Sequence, residues 1–185
     1  MEKCSGSLFD HFRKKFDSVL PSHIDGFFQL ADGLNSFHLQ GKVHGDIKPE
    51  NILISNENGK LKYKIGLTGV TSYEQYRKDH SPASPWKGGK QSELMNAPEL
   101  LITNSNPTQS SDRFSLGIVL HQIITNGKHP FQGVKKEDGG EGLLDINLMN
   151  GVFKLEGDFF VVPFLFIFVD CFFFFQNPNQ MMKNH

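Results

Sequence analysis

Apolar side chains recur at helical spacing in two stretches of the chain, and a polar loop followed by a hairpin pattern lies between them. In the first stretch Ile24, Phe27, Phe28, Leu30, Ala31, Leu34 and Phe37 follow one another at intervals of three and four. That spacing predicts a helix with a wide apolar stripe facing a core. Ser22 is the expected N-cap, and Gln40-Gly41 is the expected stop. In the second stretch Phe114, Leu116, Ile118, Val119, Leu120, Ile123 and Ile124 are apolar nearly all round, which predicts a helix buried on most sides. It is expected to open at Ser111-Asp112 and to close at Asn126-Gly127, with Pro130 blocking continuation. Between the two, Ile52-Leu53-Ile54 reads as a short strand, Asn58-Gly59 as a tight hairpin turn, and Leu61 to Leu67 as the partner strand. Near the start, a loop leads into a short helix marked by Leu8, Phe9, Phe12 and Phe16. Residues 71–96 read as a long loop, and residues 133–158 as glycine-rich loop with one short helix near Leu143–Met149. These elements make an α+β fold, mainly helical with a small β-hairpin.

Composition narrows the function only by exclusion. The 185 residues suit one domain of ordinary size, and a net charge of −1 leaves no basic footprint for nucleic acid. Cys4 and Cys171 build no disulfide framework and no metal-ligand spacing, so a reducing, cytoplasmic compartment is the default. The N-terminus carries charge without an apolar stretch behind it and does not read as a signal peptide. His11, His23, His38, His80, His121, His129 and His185 show no metal spacing and read as surface or satisfied core residues. Half of the 18 phenylalanines lie in Phe159–Phe175, a nearly all-apolar run without helical or strand period. At 17 residues, with Pro163 and Asp170 inside it, the run is marginal for a membrane span. The expected reading is a low-complexity tail outside the preceding fold, with membrane association through it as the alternative.

The polar loop carries the chemistry. It reads His44-Gly45-Asp46-Ile47-Lys48-Pro49-Glu50-Asn51 and resembles the catalytic loop of eukaryotic protein kinases, H-R-D-L-K-P-x-N. Two further matches follow in the family's order. Ala97-Pro98-Glu99 matches the element that closes the activation segment. Ser111-Asp112-Arg113-Phe114-Ser115-Leu116-Gly117 resembles the start of the long buried helix of the large lobe. The resemblance implies that Asp46 is the carboxylate beside the attacking hydroxyl, and that Lys48 is the cation on the transferring phosphate. It also implies that Asn51 is a magnesium and cofactor ligand. It further implies that Asp112 anchors the catalytic loop, that ATP and Mg2+ are the cofactors, and that a protein substrate or a kinase-like chain is the partner. His44 reads as a packing and hydrogen-bonding residue rather than a proton shuttle. Glu2-Lys3-Cys4-Ser5-Gly6-Ser7-Leu8, Gly127-Lys128-His129-Pro130-Phe131 and Asp145-Ile146-Asn147-Leu148 look like the inositol-requiring sensor kinases of the unfolded-protein response.

The departures from the family pattern set the remaining expectations. Lys64-Ile65-Gly66-Leu67-Thr68-Gly69 aligns with the segment that ends in D-F-G, so Leu67 stands where a magnesium-binding aspartate belongs. Gly45 replaces the arginine that pairs with an activation-loop phosphate, so phosphorylation at Thr71, Ser72, Tyr73 or Ser81 would order that loop less. Nothing before Glu2 supplies a glycine-rich phosphate loop or a strand lysine, and the expectation is a large-lobe fragment without the small lobe. Residues 1–156 then form a partial kinase domain and residues 157–185 a non-kinase tail. With later helices replaced by that tail, Leu116, Val119, Leu120 and Ile123 are expected to lose cover on one side. The function expected is that of a Ser/Thr kinase family member, truncated and catalytically impaired. The alternative is a pseudokinase-like binding module.

Overall fold

The computed structural model describes residues 4–15, 20–67, 93–103 and 106–130. Strand β1 (Cys4–Ser7) leads into the short helix α1 (Leu8–Phe12), and helix α2 (His23–His38) follows. The polar loop ends in a 3₁₀ turn, Pro49–Asn51, and the hairpin of β2 (Ile52–Glu57) and β3 (Lys60–Ile65) comes next. A second 3₁₀ turn (Glu93–Met95) precedes the helices α3 (Pro98–Thr103) and α4 (Gln109–Ile124).

The hairpin forms where the turn signal lies. Asn58 and Gly59 both adopt positive φ, 53° and 82°, which is the backbone twist a two-residue hairpin needs. The strands pair in register from Ile52↔Ile65 to Glu57↔Lys60. Lys62 and Lys64 each reach Glu57 at 2.6 Å, and these contacts, Lys62 first, hold the Glu57 carboxyl down to about 2. The partner strand ends at Ile65, so Leu67 lies beyond it rather than inside it. A third strand, β1, extends the sheet in the order β1-β2-β3, pairing antiparallel with β2 through Cys4↔Ser55 and Ser7↔Leu53. The sequence pattern reads this segment as loop. Cys-Ser-Gly-Ser has no alternation of apolar residues, and the open edge of β2 recruits it.

Helix boundaries follow side-chain caps. Ser7 and Asp10 cap α1 reciprocally, and Lys15 and Ser7 together hold the Asp10 carboxyl at about 2. The Ser22 hydroxyl accepts from the Asp25 N–H at 3.1 Å, as the sequence predicts for α2. Helix α4 starts two residues earlier than Ser111-Asp112 suggests. Its cap is Thr108, and Ser111 is the reciprocal partner at the third helical position.

The core joins α2, α4, the hairpin and Leu8. From α2 it takes Phe27, Leu30, Ala31 and Leu34, a narrower stripe than the sequence suggests, because Ile24 is 70% exposed and Phe28 is 42% exposed. Helix α4 is buried on nearly every side. Leu116, Val119, Leu120 and Ile123 are all buried, against the expectation that they lose cover. Leu116, Ile118 and Val119 have no exposed surface at all, and Met95 joins the same cluster.

The α2–β3 contact depends on a missing side chain. A Cβ at Gly26 would lie 2.6 Å from Tyr63 Cε2 and 2.9 Å from Cδ2, and Tyr63 is 3% exposed. Alanine raises intrinsic helix stability by about 1 kcal/mol over glycine. Here overpacking outweighs it, at roughly 1–3 kcal/mol. Gly26→Ala is therefore expected to lower stability in urea unfolding. Gly33→Ala in the same helix meets only Ile65, at an ordinary 3.7 Å to Cδ1 and 3.9 Å to Cγ1, and is expected to raise it. Equal signs for the two variants would refute the packing argument.

The segments 71–92 and 133–158 and the 157–185 tail lie outside the described residues, as does Phe16. No helix among the described residues is long and apolar enough to cross a membrane.

Candidate catalytic loop and its anchor

The loop 44–51 leaves the end of α2, crosses the first turn of α4 and enters β2. Its fixed point is the Asp112 carboxylate, 2% exposed in the first turn of α4. One oxygen accepts the His44 backbone N–H at 2.8 Å, and the other accepts the Gly45 N–H at 2.8 Å. His38, in the last turn of α2, places Nε2 2.8 Å from the same carboxylate. Two backbone amides and one imidazole thus converge on one buried acid, which ties α2, α4 and the loop together. The Gln109 amide adds a bond to the His38 carbonyl at 2.9 Å.

His38 is the residue that sequence reasoning passed over. It continues the buried stripe four residues after Leu34, and the absence of metal spacing hid its second role as a loop anchor. The stripe was the available signal, because a polar residue at a core position must have a partner.

His44 is 1% exposed and works as a spacer between two backbone segments. Its Nδ1 accepts the Asp46 N–H at 3.3 Å, which leaves Nε2 as the donor to the Gly66 carbonyl at 2.8 Å. Burial pushes the His44 pKa below the usual imidazole range and keeps the ring neutral, as this bonding requires. The ring packs edge-on to Phe37 at 6.1 Å between centroids.

Gly45 adopts φ 73°. A side chain there would hold the backbone in the left-handed region at roughly 1 kcal/mol. Glycine therefore removes a cation from this loop and at the same time relaxes it.

The three site residues come together. Lys48 Nζ lies 3.0 Å from Asp46 Oδ2. The Asn51 amide donates to the same Asp46 oxygen at 2.9 Å and to the Asp46 carbonyl at 2.7 Å. Asn51 sits in the 3₁₀ turn, where its own N–H donates to the Lys48 carbonyl at 2.9 Å. Pro49 opens that turn with a fixed φ. Both acceptors of the Asn51 amide nitrogen belong to Asp46, so the amide orientation is determined and Oδ1 is its remaining oxygen.

Leu67 is 58% exposed, one residue after the Gly66 that His44 and Asn51 hold. It contributes no oxygen near Asn51. Among the described residues no group of three or more His, Cys, Asp or Glu side chains could hold a metal ion.

A second set of contacts fixes the segment before Ala97-Pro98-Glu99. The Ser115 hydroxyl donates to the Met95 carbonyl at 2.7 Å, and His129 Nε2 lies 2.9 Å from the Leu94 carbonyl. Ala97 is 1% exposed, and Pro98 opens α3.

Such a loop, pinned to a buried helix by an acid and carrying an Asp-Lys-Asn cluster, resembles the catalytic loop of protein kinases. The protein kinase domain family is matched over residues 1–159, and the chain belongs to that family. It is 31% identical over 161 residues to the serine/threonine-protein kinase/endoribonuclease ire-1 of Caenorhabditis elegans, covering 84% of this chain and 16% of that protein. It is 37% identical over 102 residues to the serine/threonine-protein kinase/endoribonuclease IRE1 of Oryza sativa, covering 55% of this chain and 11% of that protein. Ribosomal protein S6 kinase alpha-4 of Mus musculus is 32% identical over 158 residues, covering 83% of this chain and 19% of that protein. The chain thus spans less than a fifth of the length of each of these relatives. The sequence-level resemblance to the inositol-requiring sensor kinases agrees with the first two.

Proposed function

We propose that this chain is a serine/threonine protein kinase family member that keeps the phosphoryl-transfer loop and is impaired in using it. The observation that carries this reading is the Asp46–Lys48–Asn51 cluster, held within 3.0 Å contacts on a loop that Asp112 anchors. Asp46 would accept the proton of an attacking hydroxyl on a protein substrate, and Lys48 would hold the transferring phosphate. Asn51 Oδ1 would offer an oxygen to Mg2+. ATP and Mg2+ are the cofactors the family implies. Lys48 and Asn51 suit them, and Leu67 does not, because Mg2+ requires hard oxygen donors. We read residues 1–156 as the kinase portion, of large-lobe type, and residues 157–185 as a separate tail.

Leu67 also supports the second reading, a pseudokinase-like module that binds partners without transferring phosphate. The experiment is phosphate transfer from labelled ATP to a mixed protein substrate, native chain against Asp46→Asn. Loss of one preorganised electrostatic group typically lowers a rate roughly 100-fold or more. Transfer by the native chain is therefore expected to lie at the background set by Asp46→Asn. Robust transfer that disappears in Asp46→Asn would overturn the impairment and leave the kinase assignment standing.

A further inference from the structure

A pocket of about 230 Å³ lies between α2 and β3, and none of Asp46, Lys48 and Asn51 lines it. Its apolar wall is Leu34 and Phe37 from α2, Ile65 from β3, and Leu67 just beyond that strand. The polar side chains on the lining are engaged elsewhere. His44 holds the Gly66 carbonyl through Nε2 and the Asp46 N–H through Nδ1. The Gln29 oxygen accepts the Tyr63 N–H at 2.9 Å, the Tyr63 hydroxyl is buried away from solvent, and Lys64 reaches Glu57 at 2.6 Å. A polar ligand would give up its water here and gain little in return. The pocket suits an apolar group, and an apolar cavity of roughly 150 Å³ already admits a benzene ring. Leu67 is 58% exposed, so apolar surface at this pocket still meets water.

The same chain carries a surplus of phenyl rings. Phe159–Phe175 holds nine of its 18 phenylalanines, and each gains by leaving water. The described residues end at Pro130. Residues 131–158, at about 3.3 Å each, can span up to roughly 90 Å, against a radius of gyration of about 13 Å for a body of roughly 100 residues. Every face of the described body is therefore within reach of the run. Its lack of helical or strand period is no obstacle, because a pocket for one ring needs a single ring and not an amphipathic face. We propose that this pocket is the docking site for the chain's own phenylalanine-rich segment, residues 159–175, with one phenyl ring seated among Phe37, Ile65 and Leu67. The segment then lies against His44, whose two nitrogens hold the catalytic loop and Gly66.

The inference does not depend on phosphate transfer, and its test reads cover alone. The full 185-residue chain carrying Leu67→Cys is treated with a thiol reagent, and the rate at position 67 is read by peptide mass. Ile24→Cys, at a position 70% exposed and outside the pocket, sets the open rate. Position 67 is expected to react at least about tenfold more slowly than position 24, the factor that burying one large apolar side chain supplies. Replacing the nine phenylalanines of residues 159–175 by serine is expected to bring the two rates together. Replacing them by leucine keeps apolar volume and is expected to keep most of the protection. Cys4, partly buried in β1, reports the fold and is expected to react alike with all three tails. Equal rates at positions 67 and 24 with the native tail would overturn the proposal, as would protection that survives serine or appears at position 24 instead. Protection lost on dilution would assign the cover to a second copy, and a parallel rise at Cys4 would assign the serine effect to unfolding; either would overturn it too.

Discussion

Asp112→Ala is expected to cost about 3–5 kcal/mol of folding stability, the range for breaking a buried charged hydrogen-bonded group by removing one partner. The carboxylate is 2% exposed and receives the His44 N–H, the Gly45 N–H and His38 Nε2, each at 2.8 Å. Alanine leaves those groups without their acceptor. Each unmet buried donor alone costs roughly 1–3 kcal/mol. Two of the three are backbone amides that cannot turn elsewhere without moving the loop. Urea unfolding measures the loss, and amide exchange at His44 and Gly45 locates it. Asp112→Asn keeps one acceptor oxygen and is expected to fall between. A loss below about 1 kcal/mol for Asp112→Ala, with exchange at His44 and Gly45 unchanged, would show that the loop is held by other contacts.

Stability is expected to fall by about 3 kcal/mol as pH drops from 6.5 to 4, and His129 accounts for most of that fall. Burial lowers its pKa from 6.5 to about 4, only partly opposed by its bond to the Leu94 carbonyl. The imidazole is 8% exposed. The folded-state value lies below the unfolded one, so the unfolded chain binds the extra proton within this window. The stabilisation is complete above pH 6.5 and is lost progressively toward pH 4. His44, also shifted down by burial, pulls in the same direction. The carboxyls of Asp10 and Glu57, both held at about 2, act lower: their stabilisation disappears only as pH falls from near 4 toward 2. His129→Gln keeps a donor for Leu94 without titrating. Its stability, followed by urea unfolding at pH 7 and pH 4.5, is expected to vary much less than that of the native chain. An equally steep dependence in the variant would remove His129 as the cause.

The local elements of this protein were legible because their signals are local. Ser22 caps α2 through its own hydroxyl, Asn58-Gly59 turns the hairpin through its own backbone freedom, and α4 is buried because its apolar side chains from Phe114 to Ile124 lie nearly all round the helix. Short separation along the chain also keeps Asp46, Lys48 and Asn51 within reach, since the six residues 46–51, stiffened by Pro49, have few ways to separate them. The tertiary structure decided the matters that involve partners distant along the chain. β1 is a strand only because β2 offers it an edge, and no feature of Cys-Ser-Gly-Ser reveals that. His38 acts as an anchor only because Asp112, 74 positions later, comes to meet it. The width of the buried stripe on α2 depends on what packs there, which is why Ile24 and Phe28 share the helical spacing yet remain exposed. Gly26, intrinsically unfavourable inside a helix, is required by the Tyr63 ring in space. Leu67 reads as a lost ligand from sequence, and only the structure shows that the preceding Gly66 is held between His44 and Asn51. Hydrogen-bonding capacity and apolar spacing are properties of a segment. Which donor meets which acceptor, and which apolar surface finds cover, depends on the approach of segments that the chain order keeps apart.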